Sequence, residues 1–296
     1  LGYDSAIEGY TGANWSIAVA KQAINAGLNK SLKGSFNGVK AVTREEACLY
    51  AFNTLKATMV EYDKNSTVTV GNITIKDQSS AKDMANTGKT DGKIFKADGK
   101  MQFAEKYFDN LSVTKGSDDF ARPANVWKLK AEKIGSYANT PDLTYTAAVK
   151  ASDIYKDLGL GSKIEKKDVS VYVDGVVDPE NKIVPVAITK DNDDDSYGAN
   201  GVLTEVFYDD DADTVTVTQI NTYVGSINKT VKATDKKDAY VVVTAEGPVP
   251  SQGFDNEFET DEKFEDDAYV LYTYSQSAKE IKSVEVAKSV SGEATR

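Results

Sequence analysis

The sequence predicts an α+β multidomain chain, a small helical N-terminal unit followed by β-rich domains of the sandwich-like, Ig-like kind. Three observations lead there. Apolar residues recur at three- and four-residue steps up to about residue 60. Alternating, β-branched segments take over beyond it. Acidic charge gathers in the second half of the chain. With 296 residues there is room for two or three domains, since about 100–200 residues each is usual. The boundaries read as 1–62 for the helix–loop–helix unit, 63–160 for a β-rich domain with short helices, and 161–296 for an acidic all-β domain.

NWSIAVAKQAINAGL, residues 14–28, places Trp15, Val19, Ala20, Ala23 and Ile24 at helical spacing and stops at Gly27, a helix C-cap. LKGSFNGVK, residues 32–40, is a loop with Phe36 as its apolar anchor. In AVTREEACLYAF, residues 41–52, Thr43 caps a second helix and Glu46 completes a capping box. Cys48, Ala51, Phe52, Leu55 and Met59 mark one face of that helix, which is expected to run to about Val60 and to face the core. Cys48 then reads as a small buried apolar side chain. Arg44 lies in the first turn, where the helix dipole gives a cation nothing, so it needs another reason.

STVTVGNITIKD, residues 66–77, alternates through Val68 and Val70, turns at Gly71-Asn72 and resumes with Ile73 and Ile75, which predicts a hairpin. Residues 78–100 read as a long polar loop with a short hairpin around Ile94 and Phe95. MQFAEKYFDNL, residues 101–111, is a short amphipathic helix with Phe103, Tyr107 and Phe108 near one side. NVWKLKAEKIGSYA and DLTYTAAV read as paired strands, followed by a short helix at SDIYKDLG with Ser152 as its cap. From Val169 onward VSVYVDG, KIVPVAIT, GVLTEVFYD, DTVTVTQINTYVGSI, DAYVVVTAE, DAYVLYTYS and EIKSVEVAKSVSG read as strands of a sandwich or barrel. Tyr172, Tyr208, Tyr223, Tyr240, Tyr269, Tyr272 and Tyr274 sit in these strands, and on one face they would form an adhesive or sugar-stacking surface. The start at Leu1-Gly2-Tyr3, without a methionine, reads as an internal fragment or a processed product. The segment closing at Arg296 is expected to continue into further sequence or to pair elsewhere as a free strand.

A tryptophan opening the first helix, Ala-Gly-Leu at its end, a Gly-x-Phe loop and then VTREEA together resemble the S-layer homology motif. Val42 stands where that motif has isoleucine, and Glu45 where it has alanine. The resemblance covers about 50 residues, and LGYD at the start resembles the tail of a preceding motif. Residues 121–155 and 201–225 resemble the C-terminal region of large exported proteins carrying such motifs in gut Firmicutes, a pattern without an associated activity. The resemblance implies binding to a secondary cell-wall polysaccharide of a Gram-positive envelope. It places Arg44 at the ligand's acidic sugar, with Thr43 and Glu45 beside it and Trp15 as an apolar wall. A guanidinium suits that task, because its fork matches a carboxylate bidentately where an ammonium cannot.

Composition removes several classes of chemistry. There is no histidine, which excludes Ser-His-Asp hydrolysis and the common zinc hydrolases. A single cysteine allows no disulfide within the chain. No run approaches the roughly 18 apolar residues of a membrane span, and no basic-then-apolar leader opens the chain. Residues 161–296 carry 28 acidic against 14 basic side chains, and residues 1–160 carry 18 against 21. Such a chain is no nucleic-acid binder, but its mildly basic end suits an anionic polymer. No phosphate-binding glycine loop occurs.

The acidic stretches DNDDDS, residues 191–196, and DDDAD, residues 209–213, raise a calcium reading. Asp209, Asp211 and Asp213 have alternating spacing, but Thr214 and Ile220 stand where an EF-hand needs glycine and glutamate. Solvated turns are the favoured reading, with a calcium site built partly from other loops as the alternative; no other cofactor is expected.

The function expected from all this is a non-enzymatic, extracellular protein of the cell wall or S-layer. Its N-terminal motif contributes to anchoring and its β domains serve as array, spacer or adhesion modules. A second expectation is a self-assembling subunit of a filament or surface lattice, partnered by copies of itself. A third is a carbohydrate-active enzyme using paired carboxylates, which requires no histidine.

Overall fold

A computed structural model describes residues 1–38, 40–63, 67–76, 80–95, 97–178, 182–246 and 256–288. Strand outweighs helix, 38% against 15%, so the chain is β-rich with few helices. Two compact units divide it: Leu1–Thr114 with Val126–Gly135, and Lys115–Asn125 with Ser136–Arg296. These limits fall elsewhere than residues 62 and 160. The physical reason is one shared core: Phe52 and Leu55 from the helical segment pack on Ile94, Ala104, Leu111, Val113 and Trp127.

In the first unit, α1 (Trp15–Asn25) ends as expected at Gly27, whose φ of 73° is the left-handed conformation glycine adopts freely. The Gly27 N–H donates to the Ile24 carbonyl and the Leu28 N–H to that of Ala23, both at 2.9 Å, which closes a Schellman motif. Helix α2 (Arg44–Lys56) starts on the expected capping box: Thr43 Oγ1 accepts from the Glu46 N–H, and Glu46 Oε2 from the Thr43 N–H. It stops at Lys56 rather than Val60. Met59 donates instead to the Met101 carbonyl and Val60 to that of Leu1, drawing the chain into β1 (Val60–Glu61).

The expected core face of α2 is only partly correct. Phe52 and Leu55 turn inward, but Cys48 and Ala51 are exposed, and the one fully buried residue of the helix is the polar Asn53. Cys48 is therefore a solvent-facing thiol, not a core side chain. We expect one thiol equivalent to react with an aromatic disulfide reagent in the native protein, with no acceleration by denaturant. A reaction that begins only on unfolding would reinstate the buried reading.

The hairpin of β2 (Thr67–Val70) and β3 (Ile73–Lys76) forms around Gly71-Asn72 as expected, while the side chains of Val68 and Ile75 lie outside the described set. β4 (Lys82–Asp83) pairs with β1. Among the described residues no hairpin forms around Ile94; its backbone bridges Val113 in parallel, and Phe95 takes φ 70°. The helix expected over 101–111 is the short α3 (Phe103–Tyr107). Inside its first turn Glu105 is 2% exposed, and its carboxylate accepts from Asn86 Nδ2 at 2.8 Å, Gly92 N at 3.1 Å, Gln102 N at 3.2 Å and Ile94 N at 3.4 Å. Four donors on one carboxylate give the polar loop its fixed course. β5 (Leu111–Ser117), β6 (Pro123–Leu129) and β7 (Glu132–Ala138) then pair as a meander.

The second unit holds β8 (Leu143–Tyr145), β9 (Val149–Lys150), α4 (Ala151–Asp157), β10 (Val169–Val173) and β11 (Ser196–Tyr197). The strands β12 (Val202–Asp209), β13 (Thr214–Val231), β14 (Tyr240–Ala245), β15 (Glu257–Glu259), β16 (Tyr269–Ser275) and β17 (Glu280–Val286) follow. The 18-residue β13 organises them. Its first half pairs with β12 and, in parallel, with β10; its second half pairs with β14 and β16. Val149, Ile154, Ile164, Val206 and Val217 belong to one core, and Ile227, Val243, Val270, Tyr272 and Ile281 to the other.

Two expectations fail locally in this unit. Ser152 is not the cap of α4 but lies within its first turn, where Oγ donates to Asp193 Oδ1 at 2.6 Å. KIVPVAIT forms no strand among its described residues; Ile188 makes one isolated bridge with Ile164. Apolar content alone led that reading, and the segment is used to cover the core rather than to join a ladder. The strand expected to run on toward Arg296 ends at Val286, and residues 289–296 lie outside the described set.

Candidate functional site at the two ends of helix α2

Thr43 and Glu45 line a pocket of about 290 Å3 at the N-terminal end of α2, together with Lys33, Lys40, Glu46 and Leu49. Two lysines face two glutamates there, and Lys40 Nζ sits 3.1 Å from Glu46 Oε1. The Thr43 N–H, and after it Lys40, hold the Glu46 carboxyl below its ordinary value. The pocket is thus close to neutral. Arg44 and Trp15 do not line it, although both are exposed, Trp15 by 54%. Of the four residues expected at a wall-polymer site, the structure brings Thr43 and Glu45 together and leaves Arg44 and Trp15 outside the pocket. Arg44 makes no ion pair or hydrogen bond among the described residues.

A second pocket, of about 370 Å3, opens at the other end of the helix. Lys30, Asn53, Lys56 and Phe95 line it with Ala26 and Gly27. Asn53 builds its floor: Nδ2 donates to the carbonyls of Leu28 and Lys30, each at 2.9 Å, and so clamps the segment after α1 onto α2. Sequence reasoning missed this place. The available signal was a lone asparagine inside an otherwise apolar helical run; nothing local announced Phe95, which a distant loop delivers.

The acidic residues between β12 and β13 lie in an exposed turn, the favoured reading of this stretch. Asp209, Asp210 and Asp211 bring carboxylate oxygens within 4.8 Å of one another, all exposed. Asp213 turns away, and its Oδ1 accepts from the Tyr208 hydroxyl at 2.9 Å. The segment is a tight turn, with Asp213 at φ 54°. The strand tyrosines do not share a face either: Tyr272 and Tyr274 are buried in a core, while Tyr269 is 62% exposed.

Asp174 is a fully buried carboxylate of the second unit, beside the middle of β13. Its Oδ1 accepts from the Asn221 N–H at 2.8 Å; its Oδ2 accepts from Asn221 Nδ2 at 2.8 Å and the Tyr223 hydroxyl at 2.6 Å. Burial pushes the Asp174 carboxyl up, against the pull of its Tyr223 and Asn221 bonds. Burial and the same carboxylate push the Tyr223 phenol up as well. The arrangement ties the turn after β10 to the middle of β13, where Asn221 and Tyr223 also line an open pocket of about 440 Å3.

Among the described residues no helix is long and apolar enough to cross a membrane. No family model, curated protein or solved structure matches the chain.

Proposed function

We propose that this chain is a non-enzymatic protein of the bacterial cell surface. Its N-terminal helix–loop–helix contributes to anchoring on an anionic polysaccharide of the cell wall, and its β-rich, sandwich-like parts serve as array, spacer or adhesion modules in an extracellular lattice. One observation carries the reading. Arg44 stands exposed on the first turn of a helix whose capping box fixes its direction, and it has no ion-pair partner among the described residues. An arginine that gains nothing from its helix and has no partner among the described residues is available for a carboxylate from outside.

The test is sedimentation of the full chain with purified Gram-positive walls, before and after chemical removal of the wall polymer. We expect Arg44→Ala to weaken binding by about tenfold or more, the worth of a charge-assisted bidentate contact. Removal of the polymer should abolish what remains. Equal sedimentation of parent and variant on intact walls would end the anchoring role of Arg44.

Self-assembly is the second reading, favoured by the apolar residues that paired strands turn to solvent. Val224 of β13 lies opposite Leu271 of β16, with Tyr269 two residues along, and all three are exposed. Concentration-dependent assembly in sedimentation velocity would support it.

A further inference from the structure

Lys30 and Lys56 line the pocket at the C-terminal end of α2, and no carboxylate lies among its lining residues. Burial, and after it the charge of Lys30, hold the Lys56 ammonium below the ordinary lysine value. Lys56 Nζ lies 4.2 Å from the centroid of the Phe52 ring, so its charge rests on an aromatic face and not on a carboxylate, and an anion between the two lysines would supply the missing counter-charge. Several backbone carbonyls at this end of the two helices are engaged within the fold. Asn53 Nδ2 occupies those of Leu28 and Lys30, and the amides closing α1 occupy those of Ala23 and Ile24.

Phe95 supplies the other half of the site. Its φ of 70° is a strained conformation for a bulky side chain, and such outliers gather at ligand clamps. The ring is nevertheless 46% exposed. Trp127, itself buried, meets it at 88° with centroids 6.4 Å apart and so holds it in place. A fixed aromatic wall with a few placed charges is the composition of a small-ligand pocket. The C–H face of a sugar ring matches such a wall, and a carboxylate on that ring matches two ammoniums.

We propose that this pocket binds an acidic saccharide, its ring stacked on Phe95 and its carboxylate between Lys30 and Lys56. The ligand class agrees with the proposed function, but the site lies at the opposite end of α2 from Thr43 and does not involve Arg44.

Calorimetric titration of the full chain with trigalacturonate tests it, with neutral maltotriose and inorganic phosphate as comparison ligands. The Lys30→Gln/Lys56→Gln variant is expected to bind trigalacturonate at least about tenfold more weakly than the parent. Lys21→Gln, which removes one positive charge from exposed α1 surface, should bind as the parent does. Phe95→Gly removes the ring while suiting the backbone at φ 70°, and should weaken trigalacturonate but not phosphate. Undiminished trigalacturonate binding by the double lysine variant overturns the proposal. Equal affinity for maltotriose also overturns it. Indifference of trigalacturonate binding to Phe95→Gly reduces the pocket to a plain anion site and overturns the saccharide. Wall sedimentation lost in Arg44→Ala, alongside unweakened trigalacturonate binding in the lysine variant, would sink this inference and leave the anchoring reading standing.

Discussion

Glu105→Ala is expected to lower the stability of the first unit by about 3–5 kcal/mol, because four donors lose one charged acceptor and stay buried. Two of those donors are the backbone N–H groups of Gly92 and Ile94, in a loop that only an isolated bridge from Ile94 to Val113 ties to β5 among the described residues. Ile94 in turn packs beside Ala104, Val113 and Trp127. Loss of the carboxylate therefore loosens both the loop and the core it delivers. Glu105→Gln keeps one carbonyl acceptor and should recover part of the loss. Both tryptophans belong to the first unit, and Trp127 is the buried one, so its emission during urea unfolding reports this unit. A Glu105→Ala midpoint indistinguishable from that of the parent would show that water serves these donors equally well.

Asp174→Ala is expected to cost the second unit about 3 kcal/mol, read from the near-ultraviolet dichroism of its tyrosines. The carboxylate accepts from Asn221 and Tyr223, while the Asp174 backbone N–H donates to Gln219 and its carbonyl accepts from Gln276. It thereby joins β13 to the chain that follows β10 and β16. Its φ is 50°, a conformation that aspartate and asparagine tolerate better than alanine, so Asp174→Asn separates the charge from the backbone effect. Gly175 follows at φ 89°, and a Cβ there would lie 2.1 Å from the Asp119 carbonyl oxygen, so the turn cannot shift to compensate.

The Asp174 carboxyl also fixes a pH dependence. Its pKa in the folded chain is raised above the ordinary 3.8, so the folded state holds this proton more tightly than the unfolded one. The resulting stability is fully present below 3.8 and is lost as pH rises through the folded value. Acidic unfolding midpoints of the parent and of Asp174→Asn should differ by this slope. A parent whose second unit gains stability with rising pH across that window, relative to Asp174→Asn, would contradict the assigned direction.

Local chemistry carried some elements of this fold far and others not at all. Thr43 and Glu46 announce a helix start because the capping box needs only four consecutive residues. Gly27 and Gly71-Asn72 announce an end and a turn because left-handed backbone favours those residues. The strands β12, β13, β14, β16 and β17 follow from alternation that burial then uses. Helix α2 stops early because Met59 and Val60 find hydrogen-bond partners near residues 101 and 1, which periodicity cannot see. Cys48 faces solvent because helical spacing defines a stripe but not its width, and only Phe52 and Leu55 reach a partner core.

The sequence by itself determined the class of this protein: a capped helical segment, a β-rich remainder, an acidic second half and no imidazole chemistry. Those are properties of composition, short-range spacing and single residues, and they survive any arrangement of the elements. Tertiary structure alone decided the two pockets at the ends of α2, the pairing of Lys30 with Lys56 beside Phe95, and the burial of Glu105 and Asp174. Each of these depends on residues far apart in the chain meeting in a low-dielectric place, where a charge either finds its partners or costs several kcal/mol. That meeting is set by the packing of whole elements, and no local pattern records it.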